Sequence, residues 1–264
     1  DARGITTSYT YDALNRIVGI NYPTDTDITY TYDSGSGCSY GIGRLCQVTD
    51  ASGTTQYGYD TFGNLTTQAK TELTRTYTTH YTYDLGNRIT SITYPDNRVV
   101  TYKRDNVGRI TTVNATVNGT LVPIATNRTH RADGLLLSQT HGNGIAEVRT
   151  HDTQGRLTYQ SLGSIDTRVY TYDPNGNLKQ KQTLPEVGTY SYDLLDRLSD
   201  VTRTAITSTT DLYRYDPNGN RTQDVSGSYT YVSTSNRMNT RPGATPTLDA
   251  AGNTLTDGQG LTLT

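Results

Sequence analysis

The chain has 264 residues, with 23 Lys and Arg against 25 Asp and Glu; the formal net charge of -2 excludes the basic footprint of a nucleic-acid binder. Its apolar fraction of 32% is thin for a Leu/Val/Ile core, yet the small net charge, 22 Tyr and 51 Thr argue against a disordered chain. No run approaches the roughly 18 consecutive apolar residues of a membrane span, and Asp1-Ala2-Arg3-Gly4 has neither the basic nor the apolar region of a signal peptide, so the sequence reads as a segment of a longer chain.

A repeat begins at once. Tyr9-Thr10-Tyr11-Asp12 is followed by Asn15-Arg16-Ile17. Tyr30-Thr31-Tyr32-Asp33 opens a second copy whose completion, Gly43-Arg44-Leu45, is displaced by an insertion. Tyr57-Gly58-Tyr59-Asp60 leads to Gly63-Asn64-Leu65, and Tyr81-Thr82-Tyr83-Asp84 to Asn87-Arg88-Ile89. Worn copies follow: Arg104-Asp105 with Gly108-Arg109-Ile110, Arg131-Ala132-Asp133-Gly134-Leu135-Leu136, and His151-Asp152 with Gly155-Arg156-Leu157. The unit is clean again at Tyr170-Thr171-Tyr172-Asp173, Tyr190-Ser191-Tyr192-Asp193 and Tyr213-Arg214-Tyr215-Asp216. It fades at Tyr229-Thr230-Tyr231 with Asn236-Arg237-Met238, and at Leu248-Asp249 with Gly252-Asn253. The step from Asp84 to Asp105 and from Asp152 to Asp173 sets a period of about 21 residues, with no domain boundary inside 1–264.

Each period reads as two short strands. Tyr81-Thr82-Tyr83 and Arg88-Ile89-Thr90-Ser91-Ile92-Thr93-Tyr94 alternate β-branched or aromatic residues with polar ones around Gly86-Asn87, a hairpin signal. Asp173-Pro174-Asn175-Gly176 and Asp216-Pro217-Asn218-Gly219 place Asp, Pro and Gly where a type I turn favours them. A second break, such as Tyr94-Pro95-Asp96-Asn97 or Asn118-Gly119, returns the chain to the next unit. No window carries the 3.6-residue spacing of a helix. A lone hairpin is marginal, so the predicted fold is all-β: tandem antiparallel hairpins of about 21 residues in one curved, spiralling sheet. The paired Tyr fall on one face, with hydroxyls that require water or side-chain partners, and Thr ladders supply cross-strand pairing.

The recurrent Asp12, Asp33, Asp60, Asp84, Asp173, Asp193 and Asp216 are read as turn formers that bind backbone amides, in preference to catalytic acids. With Tyr11, Tyr32, Tyr59, Tyr83, Tyr172, Tyr192 and Tyr215 they form the structural signature, and no catalytic, metal or cofactor-binding residue is assigned. The four His have no metal-ligand spacing, and His151 stands where other copies have Tyr. The Arg after the turn is expected to stack on Tyr or pair with the corner Asp; binding of acidic glycans by the Arg and Tyr rows is the weaker alternative. Cys38 and Cys46, eight apart within the Gly-rich insertion, are compatible with a local disulfide or with two free thiols.

These units, above all Tyr-Thr-Tyr-Asp-x-x-x-Asn-Arg-Ile/Leu and Tyr-Asp-Pro-Asn-Gly-Asn, resemble the RHS or YD repeats of bacterial polymorphic toxins, insecticidal toxin-complex components and teneurins. The resemblance runs from Tyr9 to about Gly252. It implies a non-enzymatic segment of a secreted or cell-surface β-shell, in all expectation bacterial, that encloses a toxin domain. The alternative it leaves open is a surface adhesin or glycan-binding array that associates edge to edge into fibres. The family's C-terminal protease-like segment has no match here, so no such activity is carried over. The implied partners are flanking repeats or further copies, an enclosed toxin and, on the second reading, glycans, with no cofactor. Neither end shows the polar cap of an isolated repeat array, which is why its edge strands are expected to seek a neighbour.

Overall fold

The computed structural model describes residues 4–205 and 208–262, which contain strands and turns and no helix. Of the end residues behind the expected uncapped edges, only 1–3 lie outside the described residues. Two compact units are present, 5–145 and 146–264.

The unit 5–145 holds twelve described strands, from Ser8–Tyr11 to Leu136–His141, each antiparallel to the one before it. In the unit 146–264, consecutive strands from Ala146–His151 to Ser208–Leu212 pair in the same way. Shorter pieces follow, among them Arg214–Tyr215 with Arg221–Asp224, and Thr230–Tyr231 with Met238–Thr240. The predicted hairpin array is thus found in each unit.

The recurrent Asp corners are tight turns closed by a residue in the left-handed region, while the corner at Val232–Arg237 is one residue longer. The amide of Asn15 donates to the Asp12 carbonyl at 3.0 Å, that of Asp12 to the Arg16 carbonyl at 3.0 Å, and Asn15 has φ 58°. Asp60 with Gly63 (φ 88°) and Asp173 with Gly176 (φ 94°) repeat the pattern. The extra left-handed residue is a β-bulge, so the register slips at the second Tyr: Thr10 faces Gly19, whereas Tyr11 faces Ile17. The Tyr94–Asn97 turn closes likewise through backbone bonds of 2.9 Å. Asn118 and Gly119, with φ 50° and 77°, instead make a two-residue hairpin between Val117 and Thr120.

Alternation sorts the two faces. In Ile28–Tyr32 both Tyr are half-buried and both Thr exposed. Tyr81 and Tyr83 flank an exposed Thr82 in the same manner. On the exposed face hydroxyls pair across strands, as in Thr82 with Ser91 at 2.6 Å, Thr129 with Ser138 at 2.6 Å and Thr150 with Thr158 at 2.9 Å. Among the described residues buried apolar side chains are few: Cys46, Val100, Ala115 and Ala125 in the first unit and Val201 in the second. Such a sheet is held by ladders and half-buried phenols more than by a sealed core.

Candidate functional site

The corner Asp organises each unit. Asp12 Oδ1 accepts the amides of Leu14 and Arg16 at 2.9 and 3.0 Å, and its Oδ2 accepts Arg16 Nε at 2.7 Å. Asp84 does the same with Gly86 and Arg88, Asp105 with Val107 and Arg109, Asp152 with Gln154 and Arg156, and Asp193 with Leu195 and Arg197. At Asp60, Asp173 and Asp216 an Asn replaces the Arg, and its Nδ2 reaches Asp Oδ2 at 2.9, 3.1 and 2.9 Å. The spacing follows from the turn: closing the loop with one left-handed residue brings the fourth residue after Asp alongside it.

Asp33 shows what the insertion does. Its amide still bonds the Arg44 carbonyl at 3.0 Å, so residues 34–42 leave and rejoin a closed backbone corner, but its Oδ1 accepts the amide of Gly43 at 2.7 Å and the Arg44 guanidinium donates to the Tyr40 and Ile42 carbonyls in place of Asp33. Cys38 and Cys46 are joined by a disulfide across Cα atoms 5.3 Å apart. The loop lies against Tyr59, whose amide donates to the Ser39 carbonyl at 3.1 Å and whose carbonyl accepts the Ser39 hydroxyl at 2.8 Å. Gly58 is required there, because a Cβ would stand 2.7 Å from the Gly37 carbonyl oxygen.

In four of the seven signatures the second Tyr ties its repeat to the one before. Tyr59 donates its hydroxyl to the Leu45 carbonyl at 2.6 Å, Tyr83 to Leu65 at 2.7 Å, Tyr172 to Leu157 and Tyr192 to Leu178, both at 2.9 Å. The partner is thus a backbone carbonyl, not the water or side chain expected from the sequence. Burial raises the pKa of all four phenols. Their partners were missed because the acceptor lies on the preceding period. Arg104, which stands in the Tyr slot before Asp105, donates Nη2 to the Ile89 carbonyl at 3.0 Å and so supplies the same bond with a different side chain. His151 occupies the slot with its Nδ1 buried and unpartnered.

Three post-turn Arg perform both roles that the sequence left as alternatives. While Nε holds its own Asp, the guanidinium lies over the second Tyr of the following repeat: Arg16 over Tyr32 at 4.4 Å, Arg156 over Tyr172 at 4.6 Å and Arg197 over Tyr215 at 4.8 Å. Arg16 also forms two bonds to the Asp33 carboxylate, at 3.1 and 2.6 Å. That guanidinium, with the amide of Gly43, brings the Asp33 pKa down to about 2. In the worn copy at 131–135 the charges are exchanged: Arg131 fills the Asp position and bonds Asp133, whose pKa is also lowered to about 2. Backbone donation from Arg16 lowers Asp12, and the amide of Asn64 lowers Asp60.

Carboxylates held ionised by two amides and a side-chain donor are anchors for a turn, with no proton to give near neutral pH. Among the described residues no group of three or more His, Cys, Asp or Glu could hold a metal. The arrangement is a chain of couplings in which each corner grips the next.

The class so defined is an all-β array of corner-locked hairpins, and residues 41–76 and 83–120 match the RHS repeat family model. The chain therefore carries RHS repeats at those residues, and the corner signature of those repeats recurs on either side of them. No curated protein sequence matches it. Among solved structures it is similar to the crystal structure of TcdB2-TccC3, with a TM-score of 0.76 at 19% identity over 96% of this chain. The TcdB2-TccC3 structure without its hypervariable C-terminal region gives 0.69 at 18% identity over 94% of this chain, and the Photorhabdus luminescens Tc holotoxin pore gives the same values. This chain spans 17%, 18% and 17% of the length of those three. At such identities the likeness is one of fold.

Proposed function

We propose that this structural RHS-repeat segment forms part of the wall of a β-shell that encloses a toxin or effector domain, in a bacterial protein that is secreted or displayed at the cell surface. The observation that carries this reading is the shared fold with TcdB2-TccC3 over 96% of the chain. The corner geometry agrees with it, since the Asp is consumed within its own turn and the Arg and second Tyr by contacts to the neighbouring repeat, as a wall requires. On this reading the segment performs no catalysis, and its disulfide suits an oxidising exterior.

Protease protection tests it. In the polypeptide that carries this array, a non-repeat segment should resist an added protease while the repeats are folded and become cleavable when denaturant opens them. Equal cleavage before and after would overturn the reading. A glycan screen separates the adhesin alternative: a wall shows no saturable affinity, and saturable binding lost on changing the stacked Arg would favour an adhesin.

A further inference from the structure

The Arg or Asn that closes most corners is matched to a residue one repeat further on; after Gly134 the place is held by Leu135. Arg44 lies over Gly63, and Arg88 over Gly108, so closely that a Cβ on either Gly would collide with the guanidinium. Arg156 and Arg237 come within 3.6 and 3.5 Å of the Cβ position at Gly176 and Gly252. The other three Arg of this kind, Arg16, Arg109 and Arg197, are also followed in the next repeat by Gly with positive φ, at Gly43, Gly134 and Gly219, where a Cβ would meet no atom within 4 Å.

Asn is followed by something else. Asn64 Nδ2 donates to Oδ1 of Asn87 at 2.8 Å, and Asn177 Nδ2 to Oδ1 of Asp196 at 2.8 Å; both acceptors sit at the left-handed position, with φ 58° and 57°. Asn220 Nδ2 donates to Oδ1 of Asn236 at 2.9 Å, in a corner one residue longer. Each Asn keeps its second amide hydrogen on its own Asp. Among the described residues, no Arg of this set precedes a side chain at that position, and no Asn precedes Gly.

The physical reason is volume and hydrogen bonding together. At Gly63 and Gly108 the guanidinium that spans to the next repeat fills the space of a Cβ, and at Gly176 and Gly252 it lies in van der Waals contact with that space, so a Gly there lets the arginine keep its place. The shorter Asn amide leaves the space open, and its outer hydrogen requires an acceptor that a Gly lacks. We infer that this Arg/Asn choice is a neighbour-recognition code: it decides which repeat can stack on which, independently of what the array encloses. By the same rule, a repeat seated in front of Asp12–Arg16, where Asn15 holds the left-handed position, presents Asn. One seated behind Asp249–Asn253 presents Asn or Asp.

Two double-mutant cycles on the full chain test the code. Gly108→Asn should lower the thermal midpoint by about 3–6 °C, and adding Arg88→Asn should recover at least half of that loss by making an Asn–Asn pair. In the reverse cycle, Asn64→Arg should lower the midpoint and Asn87→Gly should restore it. Where a single variant fails to yield soluble folded protein, recovery of folded protein in the double variant counts as the same rescue. Strictly additive losses in both cycles, or double variants no better folded than the worse single, would overturn the code.

Discussion

The strands around Tyr59 and those around Tyr231 are made from the same signature and differ in how much ladder they support. Gly53–Tyr59, Leu65–Glu72 and Arg75–Tyr83 run for 7, 8 and 9 residues, whereas Arg214–Tyr215, Gly227–Ser228 and Thr230–Tyr231 run for 2 each. The Asp corners hardly differ, since the amides of Asn64 and Asn220 both reach their Asp Oδ1 at 2.9 Å, and the corner after Tyr231 closes from Val232 to Arg237 with one residue more. The tie to the preceding repeat also survives, since the Tyr231 hydroxyl donates to the Arg221 carbonyl at 2.9 Å. The corner is therefore a local device that forms with or without a long ladder. Ladder length is set by the return half, which in the later copies is cut short at Asp224 and by Pro242 and Pro246, residues that cannot donate to a sheet.

If that contrast is correct, the same substitution costs more in the long-strand region. Tyr59→Ala should destabilise the unit 5–145 by about 2–4 kcal/mol, through loss of a half-buried ring and of its bond to Leu45. Tyr231→Ala should cost less than half as much. Equal losses in denaturant unfolding followed by amide exchange would break the comparison. Reduction of the Cys38–Cys46 bridge, or Cys38→Ser with Cys46→Ser, should cost about 2–3 kcal/mol for so short a loop. Exchange should rise at the Tyr59 amide, where the loop is docked, and stay unchanged beyond residue 214. Tyr59→Phe isolates the hydroxyl and should cost about 1 kcal/mol.

The smallest effect is acid loosening of the corners. Asp33 and Asp133 have folded pKa values of about 2 against 3.8 for the free side chain, so the stability they confer is complete above about pH 4 and is lost as pH falls through about 2. Asp33→Asn should flatten that limb, and an unchanged profile would show that the carboxylate is not the titrating anchor. The phenols predict the opposite limb. Their raised pKa values favour the folded state below pH 10 and withdraw that support as pH rises through the folded values.

Much of this was legible in the residues. Period, hairpin halves, the Asp-Pro-Asn-Gly turns, the Tyr face and the Thr ladders all rest on interactions within about ten residues, and local pattern reports local geometry. The displaced Gly43-Arg44-Leu45 was recognisable as the far half of the Asp33 corner because the same residue types close every other corner. The destination of each side chain was less accessible. Nothing near Arg104 indicates that it replaces a Tyr hydroxyl at the Ile89 carbonyl, and nothing near Glu147 announces a nearly complete burial, with Arg149 Nε and Gln160 Nε2 each 2.6 Å from its carboxylate.

By itself the sequence determined that the chain would turn, pair and repeat, since turn chemistry and alternation act within a single hairpin. Only the tertiary structure decided that Arg clamps its own Asp and its neighbour's Tyr at once, and that Gly63 and Gly108 are empty because an arginine from the previous repeat occupies the space. Those contacts join residues about one period apart, and their distances are fixed by the stacking of strands, which no local propensity encodes.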